Sequence, residues 1–343
     1  MQLGVCGFGY SGSGAVLDLL KDYPSVIVAD RVELSFTYKP DGLNDLKRAL
    51  CTEPMRHWSS DTAIRRFLKY IKRKCRIYNR VTNGQFSKLS NDFIRQIIQV
   101  EWPGYTGTHY YQGSSFDFWF NQMIALHLRV LIEKIFRPLQ FNTLPQKTMY
   151  YSFMNEREFD EKAYVFVQKV LESITGKTDK IVAVDQLFSA NRPQDSFPYF
   201  NEPKAIVVMR DPRDTYLLAK RAVGIYSKFI PVNNVESFIA YYKGLMNSRN
   251  YSGNERIFEI NFEDLIYNHD KIRQAIESFL GLPKCQLGEN SRFKPEVSIN
   301  NTQLWKKYTS YSDDILKIEK ALPDFLYPFD KYSISPTFSS ESF

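Results

Sequence analysis

The first twenty residues constrain this chain more than any other stretch. Leu3 to Cys6 is a short apolar run, Gly7 to Gly14 (GFGYSGSG) is rich in glycine and serine, and Ala15, Val16, Leu19 and Leu20 then recur at helical spacing. A buried strand that turns through glycines into a helix brings backbone N–H groups and the positive end of the helix dipole to one point, where an anion can be held. The plainer alternative is a tight turn that only joins strand to helix. Val26 to Ala29 reads as a second buried strand.

Two later runs have the same texture. Ile181 to Asp185 (IVAVD) and Ala205 to Arg210 (AIVVMR) are apolar enough for central parallel strands covered on both faces, with a helix expected after each. Ile257 to Asn261 reads as another strand, and Glu263 to Leu280 as a helix ended by Gly281 and Pro283. From Gly42 to Lys177 the pattern changes to long helices, such as Phe118 to Phe136 and Glu161 to Ile174, without obvious strands. The expected fold is α/β, a parallel sheet with helices on both faces of the P-loop type. Residues 1–41 and 178–333 form its nucleotide-binding core, 42–177 a large helical insertion that binds the acceptor, and 334–343 a flexible tail.

Charge and cysteine content narrow the partners. Lys and Arg number 45 against 38 Asp and Glu, and a net charge of +7 over 343 residues argues for an anionic substrate rather than nucleic acid. Cys6, Cys51, Cys75 and Cys285 lack CxxC or Cys/His ligand spacing, so neither structural zinc nor a disulfide framework is expected, nor any other metal. The opening residues pass into the glycine turn before a signal peptide's apolar stretch could build up, and no apolar run approaches bilayer length. The expectation is a soluble, cytoplasmic protein with peripheral membrane contact left open; composition leaves the oligomeric state open too.

The glycine turn is neither of the two commonest phosphate motifs. No Lys follows Gly12 or Gly14 as a Walker A sequence demands, and Asp30 comes early for the ribose carboxylate of a dinucleotide fold. The second candidate site is AIVVMRDPRDTYLLAKR, where Arg210 emerges at the carboxyl end of a buried strand and Pro212 and Asp214 start a helix. Its guanidinium offers paired hydrogen bonds to a phosphate. The structural alternative is an Arg210–Asp214 salt bridge that only caps the helix.

These two sites, in this order and separated by a long insertion, resemble the sulfotransferase family, which uses 3′-phosphoadenylyl sulfate (PAPS) as donor and releases adenosine 3′,5′-bisphosphate (PAP). Ser11, Gly12 and Ser13 match the family's 5′-phosphosulfate turn, and Arg210, Asp211, Pro212, Arg213 and Asp214 match its 3′-phosphate segment. Phe262 to Pro283 resembles the family's strand, acidic pair, helix and Phe-Leu-Gly segment, and Ser298 to Tyr308 (SINNTQLWKKY) its closing carboxyl-terminal loop. The resemblance implies donor binding by Gly9, Tyr10, Ser11, Gly12, Ser13, Gly14, Arg210 and Arg213, with Trp305 and Lys306 closing over the nucleotide. It implies a hydroxyl acceptor, such as a carbohydrate or lipid-linked glycan, and no metal. Tyr10 stands where the family usually has Lys or Arg, and Leu218 where many members have Ser.

Lys147, Lys294 and Lys306 are candidate substitutes for the missing cation, Lys147 also reading as a solvated loop residue. The acceptor hydroxyl must lose a proton, and Glu33 is the first choice of base, with Asp185 and His109 as competitors. Each has a structural reading: a Glu33–Arg31 pair, a turn cap at Asp185, a packed His109 among tyrosines. In the insertion, Arg65, Arg66, Lys69, Lys72, Arg73, Lys74, Arg76 and Arg80 share one expected helix, a basic face suited to an acidic glycan or an anionic membrane, or simply solvated. Two rival functions remain: a P-loop kinase or nucleotide triphosphatase with Asp185 near magnesium, and a catalytically silent nucleotide-binding module.

Overall fold

The structure is a computed structural model that describes residues 1–104, 116, 119, 124, 126–135, 147–222, 229–284 and 291–337. The chain divides into two compact units, Met1–Tyr38 with Leu171–Phe343, and Lys39–Val170.

The first unit is built on five parallel strands in the order β2-β5-β1-β6-β7. They are β1 (Gln2–Gly7), β2 (Val26–Ala29), β5 (Ile181–Asp185), β6 (Pro203–Met209) and β7 (Ile257–Asn261). β1 lies centrally, with Val5 opposite Asp185 of β5 and Gly7 opposite Val208 of β6. Alternate residues face opposite sides. Leu3, Val5, Ile206 and Val208 join Val16, Leu17 and Leu20 of helix α1 (Ser13–Leu20) and Ile276 and Leu280 of the helix His269–Leu280 in one core. The other side is equally dry: Ala205 and Val207 are fully buried, and the Phe188 ring packs against Gly4.

Two sequence expectations need correction in this unit. No α-helix follows β5; the chain instead passes through a 3-10 turn at Pro193–Tyr199, where Pro198, inside the turn, disfavours a continuous α-helix. The segment from Glu263 is two helices, Asp264–Tyr267 and His269–Leu280, parted at Asn268, whose φ of −125° leaves the helical region. Gly281 ends the second in the left-handed conformation.

The second unit is mainly helical but not wholly so. Helices α2 (Leu43–Lys47), α3 (Arg56–Val81), α4 (Phe86–Ile97), α5 (Leu126–Ile135) and α6 (Glu156–Thr175) are accompanied by an antiparallel pair, β3 (Val100–Gly104) and β4 (Lys147–Tyr151). The expectation of an insertion without strands is therefore corrected. The two strands pair across more than forty residues of sequence, and Pro103 within β3 masks the local pattern. Phe93 stacks on Phe166 and meets Phe67 and Phe159 edge-on, an aromatic core that orients α3, α4 and α6.

Candidate functional site

The carboxyl edge of the parallel sheet gathers most of the sequence candidates. β1 connects through α1 toward β2 on one side of the sheet, whereas β6 leads to β7 on the other, so the direction of winding reverses between β1 and β6. Open α/β sheets bind ligands at such a reversal, beyond the carboxyl ends of the strands. The glycine turn leaves β1 there, and Arg210 leaves β6 there.

The turn is shaped by its small residues. Gly12 has φ 84°, and a Cβ on it would come within 2.5 Å of the Phe262 ring, so both its conformation and its space demand glycine. At Gly7 a Cβ would meet Ser11 Oγ at 2.0 Å, because Ser11 folds back over the strand end with its amide donating to the Phe8 carbonyl at 2.9 Å. Tyr10 takes φ 63° and stacks on Phe229 with ring centroids 5.7 Å apart. α1 starts at Gly12 with no side-chain cap and no acidic residue in its first turn, leaving its positive end uncompensated by the helix itself. Gly14 faces open space.

Arg210 comes to this turn. Its Nη1 donates to the Tyr10 carbonyl at 2.9 Å and its Nη2 to the Asn301 carbonyl, while the guanidinium carbon lies 4.5 Å from the Phe262 ring centroid. The side chain is buried, and desolvation pulls its pKa below the ordinary arginine value. Among the described residues Arg210 makes no hydrogen bond to Asp214, so the expected capping bridge is not formed. Asp211 is the helix cap instead, accepting from the Arg213 amide at 2.8 Å, and Asp214 accepts the Gln303 and Leu304 amides. Asp214 thus binds the segment after β6 to the carboxyl-terminal loop, and Asp211 binds it to the Tyr327 amide.

Arg213 is occupied within the fold. It pairs with Asp211 and Glu319 and lies 3.8 Å from the Trp305 ring centroid. Trp305 thereby reaches the arginine segment, and the adjacent Lys306 is exposed. Leu218 is half-buried on the helix Pro212–Arg221.

The carboxylates at the other side of β1 form a second cluster. Asp185, half-buried at the end of β5, has its carboxyl pushed up to about 6 by burial and then by the negative charges of Glu33 and Asp30. Glu33 is exposed, in the loop after β2. The residue next to Asp185 is one that sequence reasoning missed. Gln186 has φ 49°, its Oε1 accepts from the Gly7 amide at 3.3 Å, and its Nε2 donates to Ser13 Oγ at 3.2 Å. A non-glycine residue in that conformation is a signal only in three dimensions.

The residues present leave donors of the kind an oxyanion takes, around a space the size of one water molecule. Ser11 Oγ and Arg210 Nε are buried without a hydrogen-bond partner, and both residues line a cavity of about 10 Å³ beneath the turn. Among the described residues, no group of three or more His, Cys, Asp or Glu side chains is disposed to hold a metal, and no helix is long and apolar enough to cross a membrane. His109 lies outside the described residues. Lys147 opens strand β4 of the second unit rather than standing in a loop.

No protein-family model and no curated protein sequence matches this chain. The chain is similar to solved sulfotransferases. One, from Alicyclobacillus acidocaldarius, shares 10% identity with a TM-score of 0.33 over 93% of this chain and 94% of its own. Another, from Mycobacterium avium, shares 9% identity with a TM-score of 0.36 over 97% and 77%. A retinol dehydratase, solved in complex with androsterone and inactive cofactor PAP, shares 10% identity with a TM-score of 0.33 over 98% and 82%.

Proposed function

We propose that this chain is a sulfotransferase that moves a sulfuryl group from PAPS to a hydroxyl acceptor. The observation that carries the reading is the meeting of Arg210 with Tyr10 at the reversal of the sheet, which joins the two segments expected to hold opposite ends of one nucleotide. In this reading Gly9 to Gly14 cradle the 5′-phosphosulfate, with the hydroxyls of Ser11 and Ser13 as donors beside the α1 amides. Arg210 holds the 3′-phosphate, and Trp305 and Lys306 close the loop over the nucleotide. Arg213 is a positioning residue, since Asp211 and Glu319 already take its guanidinium.

The perturbed carboxyl of Asp185 favours it over Glu33 as the base. As the acceptor oxygen bonds to sulfur, the bond from sulfur to the 5′-phosphate oxygen breaks, PAP departs, and the acceptor proton passes to the Asp185 carboxylate. Glu33 acts through charge, raising the proton affinity of Asp185. Tyr10 supplies no positive charge, so stabilisation of the leaving phosphate falls to the α1 amides, the serine hydroxyls and Lys306. The acceptor class in this reading is a carbohydrate or lipid-linked glycan.

Incubation with sulfur-labelled PAPS and a panel of hydroxyl compounds tests the proposal. Label in one acceptor, with PAP released in equal amount, is the expected result. Donor binding without transfer to any acceptor would instead indicate the silent binding module, and magnesium-dependent cleavage of ATP a kinase or triphosphatase.

A further inference from the structure

The charge of this protein is concentrated on a single helix. α3 carries nine Lys and Arg residues and one Asp, a net of +8, whereas the whole chain nets +7, so everything outside α3 sums to −1. The inner face of α3 is settled by burial of Ile64, Phe67, Ile71 and Tyr78. Arg65 and Arg66 at its middle are already engaged, with Asp61 and Asp41 respectively. Lys69, Lys72, Arg73, Arg76 and Arg80 are exposed and form no ion pair among the described residues.

Those five recur at three- and four-residue steps and so fall within an arc of roughly 100° along roughly 17 Å of helix. Trp58, 51% exposed, lies about five turns before Arg76 and therefore on the same line. Ile77, 47% exposed, borders the arc. From Lys69 to Arg80 the arc carries no amide, hydroxyl or carboxylate side chain.

We propose that this face of α3 docks the protein on a membrane surface bearing anionic phospholipid headgroups. A ridge of flexible cations presents all its charges to one plane, and a plane of phosphates asks for nothing more than charge. An exposed indole in line with the cations sits at headgroup level, as aromatic side chains do at membrane interfaces. A glycan chain, by contrast, also needs acceptors for its ring hydroxyls, and the arc of Lys and Arg offers donors alone. Because the remainder of the molecule is close to neutral, the asymmetry also orients the protein as it approaches.

Sedimentation of the full chain with vesicles of phosphatidylcholine, with and without phosphatidylserine, tests this. Binding is expected only with phosphatidylserine and is expected to fall as salt rises. The triple variant Lys69→Gln, Arg73→Gln, Arg76→Gln should lose about 100-fold in partitioning, at about fivefold per cation. A control triple, Lys177→Gln, Lys271→Gln, Lys331→Gln, changes net charge equally at exposed positions elsewhere and should bind as the parent does. Equal binding to pure phosphatidylcholine, or equal losses in the two triples, would overturn the proposal. So would ridge-dependent capture of a soluble acidic polysaccharide such as heparin with no partition onto phosphatidylserine vesicles.

Discussion

Gln186 donates from Nε2 to Ser13 Oγ at 3.2 Å while its Oε1 faces the Gly7 amide, and these two bonds together set the direction of the Ser13 proton. The Gly7 N–H requires the oxygen of the carboxamide on its side, which leaves the NH₂ for Ser13. Ser13 Oγ is thus an acceptor toward Gln186 and keeps its own hydrogen for an anion at the start of α1.

Replacing Gln186 separates that role from folding. Gln186→Gly accepts the φ of 49° without strain but deletes the carboxamide, so melting temperature should hold while affinity for PAP falls. The neutral Gln186–Ser13 bond contributes about 0.5–1.5 kcal/mol, so about 2- to 10-fold weaker binding by calorimetry is expected. Gln186→Glu should be worse, since its carboxylate takes the Ser13 proton and adds a repelling charge. Unchanged affinity in both variants would remove Gln186 from the site.

The two carboxylates beyond β1 and β5 can be told apart by pH. With Asp185 as base, activity rises as its carboxyl ionises through about 6. Glu33→Gln removes a negative neighbour, lowers the Asp185 pKa and moves this acid limb to lower pH with the plateau retained. Asp185→Asn should cost about 10²- to 10⁴-fold in kcat. If Glu33 were the base, its own replacement would abolish the plateau instead of shifting the limb.

A third prediction concerns stability. Glu263 is fully buried, with one carboxylate oxygen on the Asp211 amide and the other without a partner, and burial beside Asp211 pushes its carboxyl up to about 8. A raised carboxyl holds its proton in the folded state after the unfolded chain has released it. Stability is therefore lost as pH rises from the ordinary glutamate value of 4.5 through about 8. Glu263→Gln keeps the acceptor for the Asp211 amide and should flatten the decline in melting temperature between acid and alkaline buffers. An unchanged decline would place its origin elsewhere, Asp214 being the next buried carboxyl raised by desolvation.

Much of the sheet was legible because each central strand is a continuous apolar run, buried on both faces, and the glycine turn is punctuated by residues with one structural use. Arg210 was legible by position at the end of such a run. Its partners were not, since the Tyr10 and Asn301 carbonyls belong to every backbone and carry no sequence mark. Gln186 was invisible for a similar reason: a single amide after a strand has no periodicity, and its role depends on Gly7 and Ser13, one of them 173 residues away. Arg213 matched a motif by letter, yet Asp211 and Glu319 compete for its guanidinium in the folded chain. The β3–β4 pair escaped because its pairing is long-range and Pro103 breaks the strand pattern.

The central claim is that Arg210 and the glycine turn hold one doubly phosphorylated adenosine. Calorimetric titration of PAP into the full chain, the Arg210→Ala variant and the Arg210→Lys variant tests it, with melting curves to establish that each is folded. Tight binding by the parent is predicted, lost in folded Arg210→Ala and weakened in Arg210→Lys, which keeps the charge but not the paired donors. Undiminished binding in folded Arg210→Ala, or a parent that takes ATP with magnesium in preference to PAP, would contradict the account.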